Sequence, residues 1–496
     1  MLNVSFSDDE KHYLVGPGLQ LIEMLNAEGV GENIPPFRAV FSPHDNPNLL
    51  VDWQLRQEAV KAARQDIDTT SPPEPKLQGW ISACPPTSNA WTVPHPLASL
   101  SSLSQSPYSS YAPSKKPKSF IHDHRLSMSP CLHSSLLTSH GQFLSHNHGP
   151  IPHRFLVPQF SYSPTMLHAD ITVALPINWV GPGDPDDPNG RDDGPDDDSD
   201  SETLRWEDNY EDRALWKGRS TGEDFGESVD VLVGGHRIRS PSNNTNEGET
   251  YTDLSSDQYI YPRPTTQTLF KSQIFPSLFS TSFTSDPIFC HSPPNSSSED
   301  TCKLLKNLYN FQPYHTPLQS SQYKYLIDVD GNGWSSRFKR LITPFKPRPR
   351  KPRRLRYDPG IPRRPTNKGC IDGRSGNLIF KSTIYPEWWL DRSQAWIHYV
   401  PIQNDYSDLV DSIAFFRGLG VQPIQGTRLV SAGGEDELAQ RIAEEGREWS
   451  LKYWRKEDIV AYMFRLFLEY ARVMSDERDR MGFVYQGKPG EEGEEG

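Results

Sequence analysis

YKYLIDVDGNGWSSRFKRL, residues 323–341, decides the reading of this 496-residue chain. Tyr325 to Val329 is mostly apolar and rich in β-formers, which predicts a short buried strand. Gly331, Asn332 and Gly333 break it, and Ser335, Ser336 and Arg337 open an apolar-basic segment with helical spacing. A strand, a glycine turn, small hydroxyls and an arginine at a helix start suit a phosphate group. Free backbone N–H groups point outward there, the helix dipole is positive, and arginine adds a forked donor. The same pattern also describes a plain α/β crossover that binds nothing.

The sequence downstream narrows the choice. NLIFKSTIYPEWW (Asn377 to Trp389) is followed by AWIHYVPIQNDYSDLVDSIAFFRG (Ala395 to Gly418). In this order, after the 323–341 stretch, these motifs resemble the capsule-associated and Rumi-like protein O-glucosyltransferases, glycosyltransferase family 90, and within it the capsule-associated branch. The resemblance covers most of 323–474, with weaker segments at 36–53, 153–180 and 213–222. It implies a GT-B fold, two facing Rossmann-like α/β domains. It also implies an inverting transfer of glucose or xylose from a UDP-sugar, without a metal or other cofactor. The acceptor would be a protein or polysaccharide hydroxyl.

The resemblance also implies roles for particular residues. Asp45, in FRAVFSPHDNP, stands where the family places its catalytic aspartate after a strand, though from the residues alone an Asx turn or helix cap is the better explanation. As a base it would take the acceptor hydroxyl's proton during attack on the anomeric carbon. WKGRSTG resembles a donor-side motif, so Lys217, Gly218, Arg219, Ser220 and Thr221 join Ser335, Ser336 and Arg337 as nucleotide-sugar candidates. Lys217 replaces the family's first arginine, and the register of the second is shifted. Arg337 would meet the charge that grows on departing UDP. Asp170, Pro176 and Trp179 are acceptor-side candidates.

Metal readings have little support. Asp328-Val329-Asp330 has the spacing of the DxD motif of GT-A transferases, but Rumi-like members do not keep both acids. The run also opens like an EF-hand loop, yet its twelfth position is Lys339 rather than Glu. The histidines at 122, 124, 133, 140, 146, 148 and 153 form no recognised ligand spacing and read as surface or packing residues.

Bulk composition limits the folded portion. Hydrophobic residues make up 35% of the chain and there are 45 prolines, so much of it builds no core. Net charge is −13, but it is split between an acidic run at 184–212 and a basic one at 346–364. Five cysteines without CxxC spacing argue against zinc and allow one disulfide with an odd thiol left over. The start, MLNVSFSDDEKHYLV, is neither a signal peptide nor an anchor, and no apolar run is long enough to span a bilayer. The family resemblance nonetheless implies the secretory lumen, with the start of this chain lying inside the domain; a cytosolic protein is the other reading.

The chain divides into 1–180, an N-terminal acceptor-side domain with a Ser/Pro/Tyr-rich insert at 97–118; 181–212, a linker; 213–476, a nucleotide-sugar domain; and 477–496, a disordered tail. Helices are expected at 19–27, 55–65, 436–452 and 457–474, with Ser407 capping a further one that ends at Gly418. Strands are expected at 37–41, 155–157 and 171–174. Residues 226–300 show little periodicity. Residues 342–375 interrupt the family pattern with eleven Lys or Arg and seven prolines. This tract reads as an unfolded loop. It also supports two other readings, a basic nucleic-acid binder or an inactive family member that only binds, although its two aromatics are few for single-strand stacking. No nucleic-acid partner is expected.

Overall fold

The computed structural model describes residues 16–42, 47, 49–65, 79–91, 119–144, 151–176, 206, 211–218, 230–233, 236–239, 278–284, 306, 310–331, 333–344, 376–418 and 433–482. It is mixed α/β, as the sequence implies. The first part comprises α1 (Gly16–Ala27), β1 (Val40–Phe41), α2 (Trp53–Gln65), β2 (Gln159–Ser161) and β3 (Ile171–Thr172). These three strands make a parallel sheet in the order β1-β2-β3. The strand expected at 155–157 is not there: Phe155 and Val157 are exposed and irregular, and pairing begins at Gln159. β2 is the middle strand, with all three residues buried. Position in the sheet has overridden the β-propensity of the Phe-Leu-Val run.

The second part begins with β4 (Glu211–Gly218), the antiparallel hairpin β5 (Asp230–Val233) and β6 (His236–Arg239), and β7 (Phe279–Phe283). β8 (Tyr323–Val329), β9 (Leu378–Ser382) and β10 (Val400–Pro401) follow. Five of these strands form a parallel sheet in the order β10-β9-β8-β4-β7. β8 and β9 are almost continuously buried, as expected of parallel strands covered on both faces. From β4 the chain goes to β7 on one side and then to β8 on the other. The sheet therefore has a topological switch point between β4 and β8, the place where open α/β sheets tend to bind ligands at the C-terminal ends of their strands.

The helices around this sheet include α3 (Phe338–Ile342), α4 (Leu409–Arg417), α5 (Asp436–Tyr453) and α6 (Lys456–Val473). Ser407 does not cap α4. The N-cap is Asp408, whose carboxylate turns back to accept from the Gln403 N–H at 3.0 Å instead of capping. Gly418 ends the helix at φ +78°, donating its N–H to Ala414 O at 2.9 Å. Ile342 and Thr343, assigned above to the basic insert, are buried, and Thr343 Oγ1 bonds Ser450 Oγ. The ordered chain thus continues past 341, while the bulk of the insert, 345–375, lies outside the described residues.

α6 crosses to the first sheet. The Phe467 ring centroid lies 5.3 Å from Phe37 and 5.7 Å from Phe160, and the Tyr470 hydroxyl donates to Arg38 O at 3.1 Å. Tyr462 donates to Thr172 O at 2.9 Å. One apolar cluster consequently includes residues of both sheets, among them Phe160, Leu326, Phe338, Trp389 and Met463. Beside it, a disulfide joins Cys84 to Cys131, tying the 79–91 segment to 119–144. Among the described residues, no helix is long and apolar enough to cross a membrane.

Candidate functional site

The ends of β8 and β9 carry a compact set of charges. Strand register places Asp328 directly opposite Lys381. Both side chains are fully buried, with Lys381 Nζ 2.9 Å from Asp328 Oδ2. The other carboxylate oxygen accepts a hydrogen bond from the Ser335 hydroxyl, and the Arg337 guanidinium stands 3.6 Å from it. Arg337 is held further by main-chain carbonyls: Nη1 donates to Lys217 O at 2.6 Å and Nη2 to Val329 O at 3.4 Å. It therefore spans the ends of β4 and β8 at the switch point, still about a quarter exposed.

Lys381 also lies 3.8 Å from Glu387 Oε1, while the indole N–H of Trp389 donates to Glu387 Oε2 at 3.0 Å. Its ammonium sits 4.3 Å from the centroid of the Phe338 ring. Burial alone would push the Lys381 pKa down, but Asp328, Glu387 and Asp330 hold it above its usual value. Burial pushes Glu387 up to about 7, against the pull of Lys381. Asp330 accepts from the Ile384 N–H at 2.9 Å and faces His140 Nε2 at 3.3 Å. His124 Nδ1 lies 2.8 Å from the Tyr399 hydroxyl, and burial followed by the field of Lys381 lowers its pKa to about 3.

A cleft opens beside this cluster. Tyr162 and Val173, each one residue past a strand of the first sheet, line it together with Trp334, Ser335, Ser336 and Glu387. Carboxyl ends of strands from both sheets thus meet there: Tyr162 follows β2, Ser335 and Ser336 follow β8, and Glu387 follows β9.

Several expected residues are brought together and others are not. Ser335, Ser336, Arg337 and the backbone of Lys217 converge, but the Lys217 ammonium bonds Gln312 Oε1 at 2.9 Å. Gly218 O accepts from the Thr284 N–H at 2.8 Å, so this glycine links β4 to the end of β7. Asp170 is buried and accepts from the Leu49 N–H at 2.8 Å and from Gln159 Nε2 at 3.1 Å. It pins the chain four residues beyond Asp45 to the first sheet. Pro176 is half-buried. Asp45, Trp179, Arg219, Ser220 and Thr221 lie outside the described residues.

The sequence reading missed Lys381 and Glu387; His140, read there as a surface or packing residue, is buried beside Asp330. For Lys381 a signal existed: laying LIFKS beside YLIDV in parallel register sets its one cation opposite the one anion. Of the two acids in the DxD spacing, Asp328 is committed to Lys381 and Ser335, and Asp330 to Ile384 and His140. Among the described residues, no group of His, Cys, Asp and Glu is arranged to hold a metal ion.

A parallel sheet with serines and an arginine at its switch point, facing a second parallel sheet across a cleft, defines a Rossmann-like α/β protein. Residues 370–481 match the family model of glycosyl transferase family 90. The chain is 26% identical over 112 residues to protein O-glucosyltransferase 1 of Rattus norvegicus, covering 22% of this chain and 24% of that protein. To protein O-glucosyltransferase 2 of Danio rerio it is 28% identical over 116 residues, 23% of this chain and 20% of the relative. To the O-glucosyltransferase rumi of Drosophila pseudoobscura pseudoobscura it is 30% identical over 98 residues, 19% of each. These matches span a quarter or less of the relatives' length.

Proposed function

We propose that this protein is an inverting glycosyltransferase that moves glucose or xylose from a UDP-sugar to a hydroxyl of a protein or polysaccharide. The observation that carries the reading is Arg337, fixed at the switch point beside Ser335 in a chain whose residues 370–481 match glycosyl transferase family 90. A guanidinium with two main-chain anchors and part of its surface free is suited to a diphosphate. Ser335 and Ser336, with the Lys217–Thr221 segment, complete the donor side. Asp45 serves as the base: as the acceptor oxygen attacks the anomeric carbon, its proton passes to the Asp45 carboxylate. The bond from that carbon to the UDP oxygen breaks, and Arg337 meets the charge left on UDP. Asp170 supports the acceptor side by fixing residue 49.

The reaction on this reading needs no metal, since the phosphate charge is met by arginine and backbone donors. The proposed setting is the secretory lumen, and the Cys84–Cys131 disulfide is consistent with an oxidising compartment. The test is transfer from labelled UDP-glucose and UDP-xylose to protein and glycan acceptors, with and without EDTA. Transfer that requires manganese would overturn the metal-free reading, and tight binding of UDP without any transfer would favour a non-catalytic family member.

A further inference from the structure

Lys381 has no reason to be charged in the core unless the charge is used. It is fully buried, its ammonium 4.3 Å from the centroid of the Phe338 ring, and it does not line the cleft. A buried ammonium costs several kcal/mol of desolvation even after relaxation, and its pair with Asp328 offsets that cost without a guaranteed surplus. An apolar pair of similar size would serve stability equally well. The location of the pair separates it from ordinary core ion pairs. Asp328 is the common acceptor for Ser335 and the near neighbour of Arg337, two donor-side groups.

We propose that Lys381 is a positioning residue that acts as a fixed internal cation of the donor site. By neutralising Asp328 it keeps that carboxylate from capturing Arg337, while leaving it able to orient Ser335. The inference rests on the reading of Ser335 and Arg337 as donor-phosphate groups.

The geometry shows why the cation is needed. Arg337 Nη2 stands 3.6 Å from Asp328 Oδ1, too far for a hydrogen bond, while Nη1 is tightly held by Lys217 O at 2.6 Å. Lys381 holds the other oxygen at 2.9 Å. Without Lys381, a dehydrated carboxylate would have Arg337 as its nearest cation. The guanidinium would close the gap, and its charge would be spent inside the protein. Glu387, 3.8 Å from Lys381, can take up a proton, since burial raises it to about 7. The loss of positive charge behind the site and the withdrawal of Arg337 act in the same direction, against phosphate binding.

The experiment compares UDP with uridine, which lacks the phosphates, by calorimetry on the whole protein. In the wild type UDP binds more tightly than uridine, and Arg337→Gln removes most of that advantage. If it does not, the donor-site reading fails, and this inference with it. Given that advantage, Lys381→Met is expected to weaken UDP by about tenfold or more and to leave uridine within about twofold. In the Arg337→Gln background the same change should have little further effect on UDP, because the two act through one group. Lys381→Met with Asp328→Asn removes both charges, leaves Ser335 an acceptor, and is expected to bind UDP within about threefold of wild type. That paired variant stands as the test if Lys381→Met alone does not fold. Equal losses for UDP and uridine, or a paired variant that binds UDP as poorly as Arg337→Gln, would overturn the proposal.

Discussion

Arg337 and Asp45 carry the two halves of the proposed chemistry and should fail differently. Arg337→Gln removes a charge-assisted contact of about 1.5–3 kcal/mol, so UDP-sugar affinity should fall by roughly tenfold to a hundredfold. Asp45→Asn should leave that affinity intact and lower transfer by about a hundredfold or more. Titration with donor and single-turnover transfer separate the two, and unchanged turnover in Asp45→Asn would remove it from the mechanism. Asp408 supports a prediction about acidity. Burial pushes its carboxyl up to about 7, with the Gln403 N–H pulling the other way. The folded protein then keeps a proton that the unfolded chain releases above about pH 4. Stability from this group is full below that value and falls as pH rises through about 7. Asp408→Asn should flatten the melting temperature between about pH 5 and 7 relative to wild type. Parallel curves for the two proteins would show that Asp408 does not titrate there.

Elements were legible where the apolar period was long and the boundary residues were decisive. The 323–329 strand, α5 and α6 fall within a residue or two of their expected ends, because a buried run or a long apolar stripe fixes them. Short elements were not legible. Gln159–Ser161 is a strand because β1 and β3 flank it, which no local pattern records. Ser407 has cap chemistry, but Asp408 lies one residue closer and the chain enters the helix there. The donor-side turn could be read from Ser335 and Arg337, whereas the ion pair behind it needed strand register. Within α5, Gly446 looks like a weak point, since alanine is favoured in a helix interior by about 1 kcal/mol. A Cβ at Gly446 would run into the main-chain carbonyl of His398, however, and backbone does not yield as a side chain can. Gly446→Ala should therefore destabilise the protein, and a higher denaturation midpoint in the variant would contradict this packing.

For the molecule as a whole, the disulfide is the simplest lever. Cys84–Cys131 closes a loop with a sequence separation of 47, for which chain entropy predicts about 4 kcal/mol. Reduction, or Cys84→Ala with Cys131→Ala, should lower the melting temperature by several degrees. An unchanged melting curve would mean that the 79–91 and 119–144 segments hold together by packing alone. The crossing of α6 has a consequence in time as well as in space. Phe37, Phe41 and Phe160 leave the ribosome well before their partners Phe467 and Tyr470. Some 300 residues or more must be synthesised between the two halves of that contact. The first sheet must wait for that cover throughout, so a stop codon before Phe467 would be felt some 300 residues upstream, at Phe160.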